Sequence, residues 1–122
     1  MKPERKRELE TAGVDVDQAL ERMMGSDGLL ERLLAKFLED QNYSGLRAAL
    51  EEGDTDRAAA AAHTLKGMCG NLSMTGLFQL FTRQVAALRE GDLAGARDLM
   101  ERIVPAYEAA EAAIRGDRNE GN

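Results

Sequence analysis

Along nearly the whole chain, hydrophobic residues recur every three or four positions, the signature of amphipathic helices. Strand-like alternation and clusters of β-branched residues are absent, so the predicted class is all-α. In "VDVDQALERMMG", Val16, Leu20 and Met23 or Met24 fall on one face and predict a short helix. Gly25-Ser26-Asp27 breaks it and offers a cap for the next. "GLLERLLAKFLEDQ" then sets Leu30, Leu33, Leu34, Phe37 and Leu38 on one stripe. That helix is expected to run on to Leu46, Ala49 and Leu50. A glycine inside a helix costs about 1 kcal/mol relative to alanine. A bend or break is therefore expected between Asn42 and Gly45.

Two boundaries repeat one phrase. "EGDTDRAAA" begins at Glu52 and "EGDLAGARD" at Glu90. Each puts a glycine after one helix and an aspartate before the next. Glycine takes the left-handed C-terminal position without a Cβ clash, and the carboxylate accepts N–H bonds from the new first turn. Joints this tight make antiparallel neighbours. The third helix is thus predicted from about Asp54 to Leu72, with Ala58, Ala62, Leu65, Cys69 and Leu72 inward. The fourth runs from Thr75 to Arg89 and buries Leu77, Leu80, Phe81, Gln84 and Leu88. The fifth starts at Asp92 and buries Ala96, Leu99, Met100, Ile103, Tyr107, Ala110 and Ile114. Pro105 removes an N–H inside it, which predicts a kink. The expected architecture is an antiparallel up-down-up-down four-helix bundle over residues 13–115, with a short extra N-terminal helix. Residues 1–12 read as a tail or a short helix, and 116–122 as a disordered tail.

Composition narrows the partners. A chain of 122 residues suits one domain. Its formal net charge of -6 argues against nucleic acid, which calls for a basic face. A single cysteine, Cys69, can form no internal disulfide and suits a reducing compartment. The sequence shows neither an apolar run long enough to span a bilayer nor the apolar core of a signal peptide. The expectation is a cytoplasmic protein, monomeric, with no membrane partner.

The candidate chemistry lies in "AHTLKGMCGNLS", residues 62–73, which holds the only histidine, His63. On a helix His63 sits at the edge of the core stripe, with Lys66 at i+3 and Gly67 at i+4 on the same patch. Gly70 extends that patch by a turn. A neutral imidazole nitrogen is a good nucleophile toward an activated phosphoryl group. A lysine one turn away can offset the anionic product as a flexible point charge. Two glycines could clear space for a partner's phosphorylated residue. The residues alone leave a second reading open, a surface histidine beside glycines that serve helix packing. Cys69 reads as a small buried hydrophobe. Met68 is expected to flank the core, Met74 to be exposed near the end of the motif, and Phe78 to add to an apolar docking patch.

"AHTLKGMCGNLS" resembles the A-H-x-L-K-G-x-x-G-N-[LI]-G motif of the histidine-containing phosphotransfer (HPt) domains of bacterial multistep phosphorelays. "GVDVDQALERMMG", "LLERLLAKFLED" and "ALREGD" are similar to the segments around it in that family. The resemblance covers roughly residues 13–114. It implies His63 as phosphoacceptor, Lys66 as phosphate stabiliser and Gly67 as docking clearance, with Gly70, Met74 and Phe78 as further docking candidates. It also implies response-regulator receiver domains as partners, and a hybrid sensor histidine kinase as another candidate. The receiver would bring its aspartate and the Mg²⁺. No metal site or other cofactor is expected on this chain, nor kinase or ATPase activity of its own, since no glycine-rich phosphate-cradling loop is present. Departures from the family pattern fall at Ser73, Met74, Phe81, Gln84 and Val85. Two competing readings are a helical adaptor that never carries phosphate and the phosphotransfer domain of a chemotaxis-type histidine kinase.

Overall fold

A computed structural model describes residues 1–116 of the chain. They form seven helices: α1 (Pro3–Thr11), α2 (Val16–Arg22), α3 (Asp27–Glu39), α4 (Asn42–Glu52), α5 (Thr55–Asn71), α6 (Thr75–Arg89) and α7 (Leu93–Arg115). The expected disordered tail lies, from residue 117 on, outside the described residues. Among the described residues there is no strand, only one antiparallel bridge between Val14 and Met74.

Both repeated joints form as their chemistry predicts. Gly53 takes a φ of 76° and the Asp54 carboxylate accepts the Arg57 N–H at 3.1 Å. Gly91 takes 79° and Asp92 accepts the Gly95 N–H at 2.9 Å. The Ser26 hydroxyl likewise caps α3, accepting the Leu29 N–H at 3.1 Å. Helices α4, α5, α6 and α7 pack in chain order, and α7 returns to touch both α4 and α3.

The structure corrects the helix count. The expected second long helix is two, and the break falls at Asp40–Gln41, ahead of the glycine. The Asp40 carboxylate accepts the backbone N–H of Asn42 at 2.7 Å and its side-chain amide at 2.9 Å. This local capture starts a new helix, and α4 runs straight through Gly45. The N-terminal residues form α1, whose Leu9 is fully buried. Arg5 ties α1 down by a two-pronged contact to Glu31 of α3, at 2.9 and 3.1 Å, and by a bond to the Ala113 carbonyl at 2.6 Å. Helix α7 continues through Pro105, which lies on an exposed face.

The core follows the predicted stripes except at Leu80, Leu99 and Met100, which were expected to be buried and are half-buried at its edge. In α5 it is Ala58, Ala61, Ala62, Leu65 and Cys69, with Leu72 just beyond. Met23 is buried and Met24 points out, 96% exposed, at a φ of 55°. Three of the few aromatic residues meet across α3, α4 and α7. The Tyr43 and Tyr107 rings stack 3.7 Å apart, and Phe37 tilts against Tyr107 at 5.1 Å.

Gln84, one of the departures from the family pattern, is fully buried between α6 and α7. Its amide N–H donates to the Ala96 carbonyl at 2.9 Å, while its Oε1 has no partner among the described residues. The Ala96 carbonyl can still accept its own helical bond, so losing the amide orphans nothing. An unpaired buried acceptor costs about 1–3 kcal/mol. Gln84→Leu should therefore stabilise the protein by about 1 kcal/mol and raise the melting temperature by roughly 4 °C. A lower melting temperature would show that the bond to Ala96 outweighs the orphaned oxygen.

Candidate functional site

The site is built on α5. This helix packs closely against α4 and α6 and turns one edge to solvent. His63 lies on that edge, one residue past buried Ala62, and is exposed. Among the described residues no group hydrogen-bonds the imidazole, so the ring stands clear for an incoming reactant. Lys66, one turn on, is half-buried and holds its Nζ 5.9 Å from the centre of the Phe78 ring of α6.

The two glycines differ. A Cβ added at Gly67 would meet nothing within 4 Å. Beside His63 the surface is bare backbone facing open space. A Cβ at Gly70 would come within 3.2 Å of both Cδ1 and Cε1 of Phe78. Gly70 is therefore a seat for a ring of the same chain, and its missing side chain serves packing. Phe78 lies over it, 36% exposed.

Met74 requires a correction. It was expected at the surface as a docking residue, yet it is 1% exposed and belongs to the core. The cause is the turn that ends α5. Ser73 takes a left-handed φ of 54°, its N–H bonds to the Gly70 carbonyl at 3.2 Å, and the Met74 N–H bonds to the Cys69 carbonyl at 2.9 Å. This pair of bonds closes a helix end and folds the next apolar residue back inward. The left-handed φ explains why the family motif often has glycine where Ser73 stands. Here the serine is held from outside. Arg22 of α2 donates through Nη1 to the Ser73 hydroxyl at 3.0 Å and also to the Gly70 carbonyl. The Asp15 N–H bonds to the Ser73 carbonyl at 2.9 Å.

Sequence reasoning did not single out Arg22. A cleft of about 350 Å³ runs from it along Gln18, Asn71 and Thr75 to Phe78. The non-glycine residue in a glycine slot at Ser73 was the one available signal, since it calls for an external partner. Cys69 is buried below the site, and burial pushes its thiol up to about 12. It is a packing residue, as expected. No group of His, Cys, Asp or Glu able to hold a metal occurs among the described residues.

Among the described residues no helix is long and apolar enough to cross a membrane. No curated protein and no solved structure matches the chain. A family model, Hpt domain, matches residues 28–113, a span that contains His63 and the turn after α5 but not α1 or α2. Because that span takes in most of the sequence, the chain belongs to the Hpt domain family, whose members carry out histidine phosphotransfer in two-component phosphorelays and interact there with receiver domains.

Proposed function

We propose that His63 accepts a phosphoryl group from the aspartyl phosphate of one receiver domain and passes it to the aspartate of another. The observation that carries this reading is an exposed imidazole with no hydrogen-bond partner among the described residues, beside open backbone at Gly67. One ring nitrogen attacks phosphorus, forming an N–P bond, while the bond from phosphorus to the aspartyl oxygen breaks and the carboxylate leaves. The proton on the other ring nitrogen can pass to solvent. Among the described residues no carboxylate orients the ring as a general-base pair would, which suits a nucleophile whose activation comes from the donor. Lys66 offsets the charge of the phosphohistidine. The receiver brings its own aspartate and Mg²⁺, and the protein works as a cytoplasmic monomer. The Gly–Asp joints at 53–54 and 91–92 support an antiparallel up-down-up-down arrangement of α4 to α7 as the rigid mount.

Gly67, His63 and the outer edge of Phe78 form the surface on which the receiver docks. Incubation with labelled, phosphorylated receivers should move label onto this chain and, with a second receiver, off it again. Gly67→Ala meets only open space and should stabilise α5 by up to about 1 kcal/mol. Gly67→Gln should fold normally yet slow transfer roughly tenfold or more, because ångström-scale misplacement of reacting groups is costly. A Gln variant that melts early but transfers at its normal rate would overturn the clearance role. Failure of every receiver to load the wild type would favour a non-catalytic adaptor.

A further inference from the structure

The contact between Lys66 and Phe78 has a consequence beyond docking, and it rests on the phosphoacceptor reading above. We infer that Phe78 is a positioning residue for Lys66: its ring, seated on the bare backbone of Gly70, holds the lysine ammonium on the stripe of α5 that carries His63. Three observations support this. The ammonium lies 5.9 Å from the ring centre, within the range at which a cation is drawn to the face of an aromatic ring. The ring in turn is fixed by its seat, with Cδ1 and Cε1 both within 3.2 Å of where a Cβ of Gly70 would stand. Finally, Lys66 and Gly70 are i and i+4 on one helix, so one ring spans both.

A lysine stem is long and free to rotate, and a point charge that wanders screens a phosphate poorly. Tethering the ammonium over Phe78 narrows its range to the strip of α5 between His63, one turn back from Lys66, and Gly70, one turn on. The seat is itself anchored. Arg22 grips the Gly70 carbonyl and the Ser73 hydroxyl, which ties the last turn of α5 to α2. The second glycine of the motif thus acts on the phosphoryl group through Phe78 and Lys66, whereas the first leaves room for the partner.

The test separates positioning from docking by loading the protein without a receiver. Phosphoramidate transfers its phosphoryl group to the imidazole; the new N–P bond forms as the donor's own N–P bond breaks, and ammonia leaves with the proton the ring gives up. The spontaneous loss of phosphate from His63 is then timed in the purified full chain. Phe78→Leu keeps an apolar side chain but no π face, and should shorten the phosphohistidine lifetime by about threefold. Lys66→Ala should shorten it at least as much, and Phe78→Leu added to Lys66→Ala should change nothing further. Phe78→Tyr, which keeps the ring, should restore the lifetime. Independently of phosphorylation, the Lys66 ε-methylene protons should be shifted upfield by the ring in the wild type. Gly70→Ala, which displaces Phe78, should reduce that shift. If Lys66→Ala shortens the lifetime and Phe78→Leu does not, the positioning role is wrong and the phosphoacceptor reading stands. A wild type that takes no phosphate on His63 defeats the phosphoacceptor reading itself, and an unchanged methylene shift in Gly70→Ala overturns the seat.

Discussion

His63→Gln should abolish phosphorylation completely and leave the fold intact. With one imidazole in the chain, all acid-labile, base-stable phosphate should vanish in this variant, whether the donor is a receiver or phosphoramidate. The ring is exposed and makes no hydrogen bond to any described residue. Surface substitutions of this kind stay within about 0.5 kcal/mol, so the melting temperature should move by no more than about 2 °C. Gln also propagates a helix well, which keeps α5 continuous. Label retained in the variant would put the phosphate on another residue. A large drop in melting temperature would show that His63 has a structural role that its exposure denies.

Alkaline pH should unfold this protein well before an ordinary helical domain of its size. Burial raises the Cys69 thiol from 9.0 to about 12. Burial likewise raises Tyr107, helped by the negative charge of Glu111, and raises Tyr43. In the folded chain these groups hold their protons past the pH at which the unfolded chain releases them. Stability is then fully present below about pH 9 and falls as pH rises toward 12, because the unfolded state binds fewer protons in that window. Cys69 alone would withdraw on the order of 4 kcal/mol across it, about 2 kcal/mol by pH 10.5. Urea midpoints at pH 8 and pH 10.5 measure the loss directly, and tyrosinate absorbance should rise with unfolding and not before it. Cys69→Ala should start less stable yet show a shallower decline with pH. Equal slopes for the two proteins would remove the thiol from the account.

The course of the helices was open to reading because its causes are local. A glycine that can turn left-handed and an aspartate that can cap sit side by side at 53–54 and 91–92, and periodicity alone marks the inward stripes of α5, α6 and α7. The same periodicity sets His63 one step outside the stripe, with Lys66 and Gly67 beside it. The split at Asp40 was local too, but it depended on a carboxylate turning back onto the N–H of Asn42 when the glycine ahead looked the weaker point.

By itself, then, the sequence determined the helical class, the two Gly–Asp joints, the buried alanine face of α5 and the exposed edge that carries His63. Tertiary structure decided the rest of the site. Gly67 and Gly70 are the same residue three positions apart, yet one faces open space and the other lies under Phe78. Met74 turned inward, and Ser73 occupies a left-handed position through Arg22 and Asp15 from the far end of the chain. A residue's place on a helical face follows from its own neighbours in sequence, through 3.6 residues per turn. What stands opposite that face follows from how α2, α5 and α6 pack, and no local pattern encodes which side chain of another helix fills a given space.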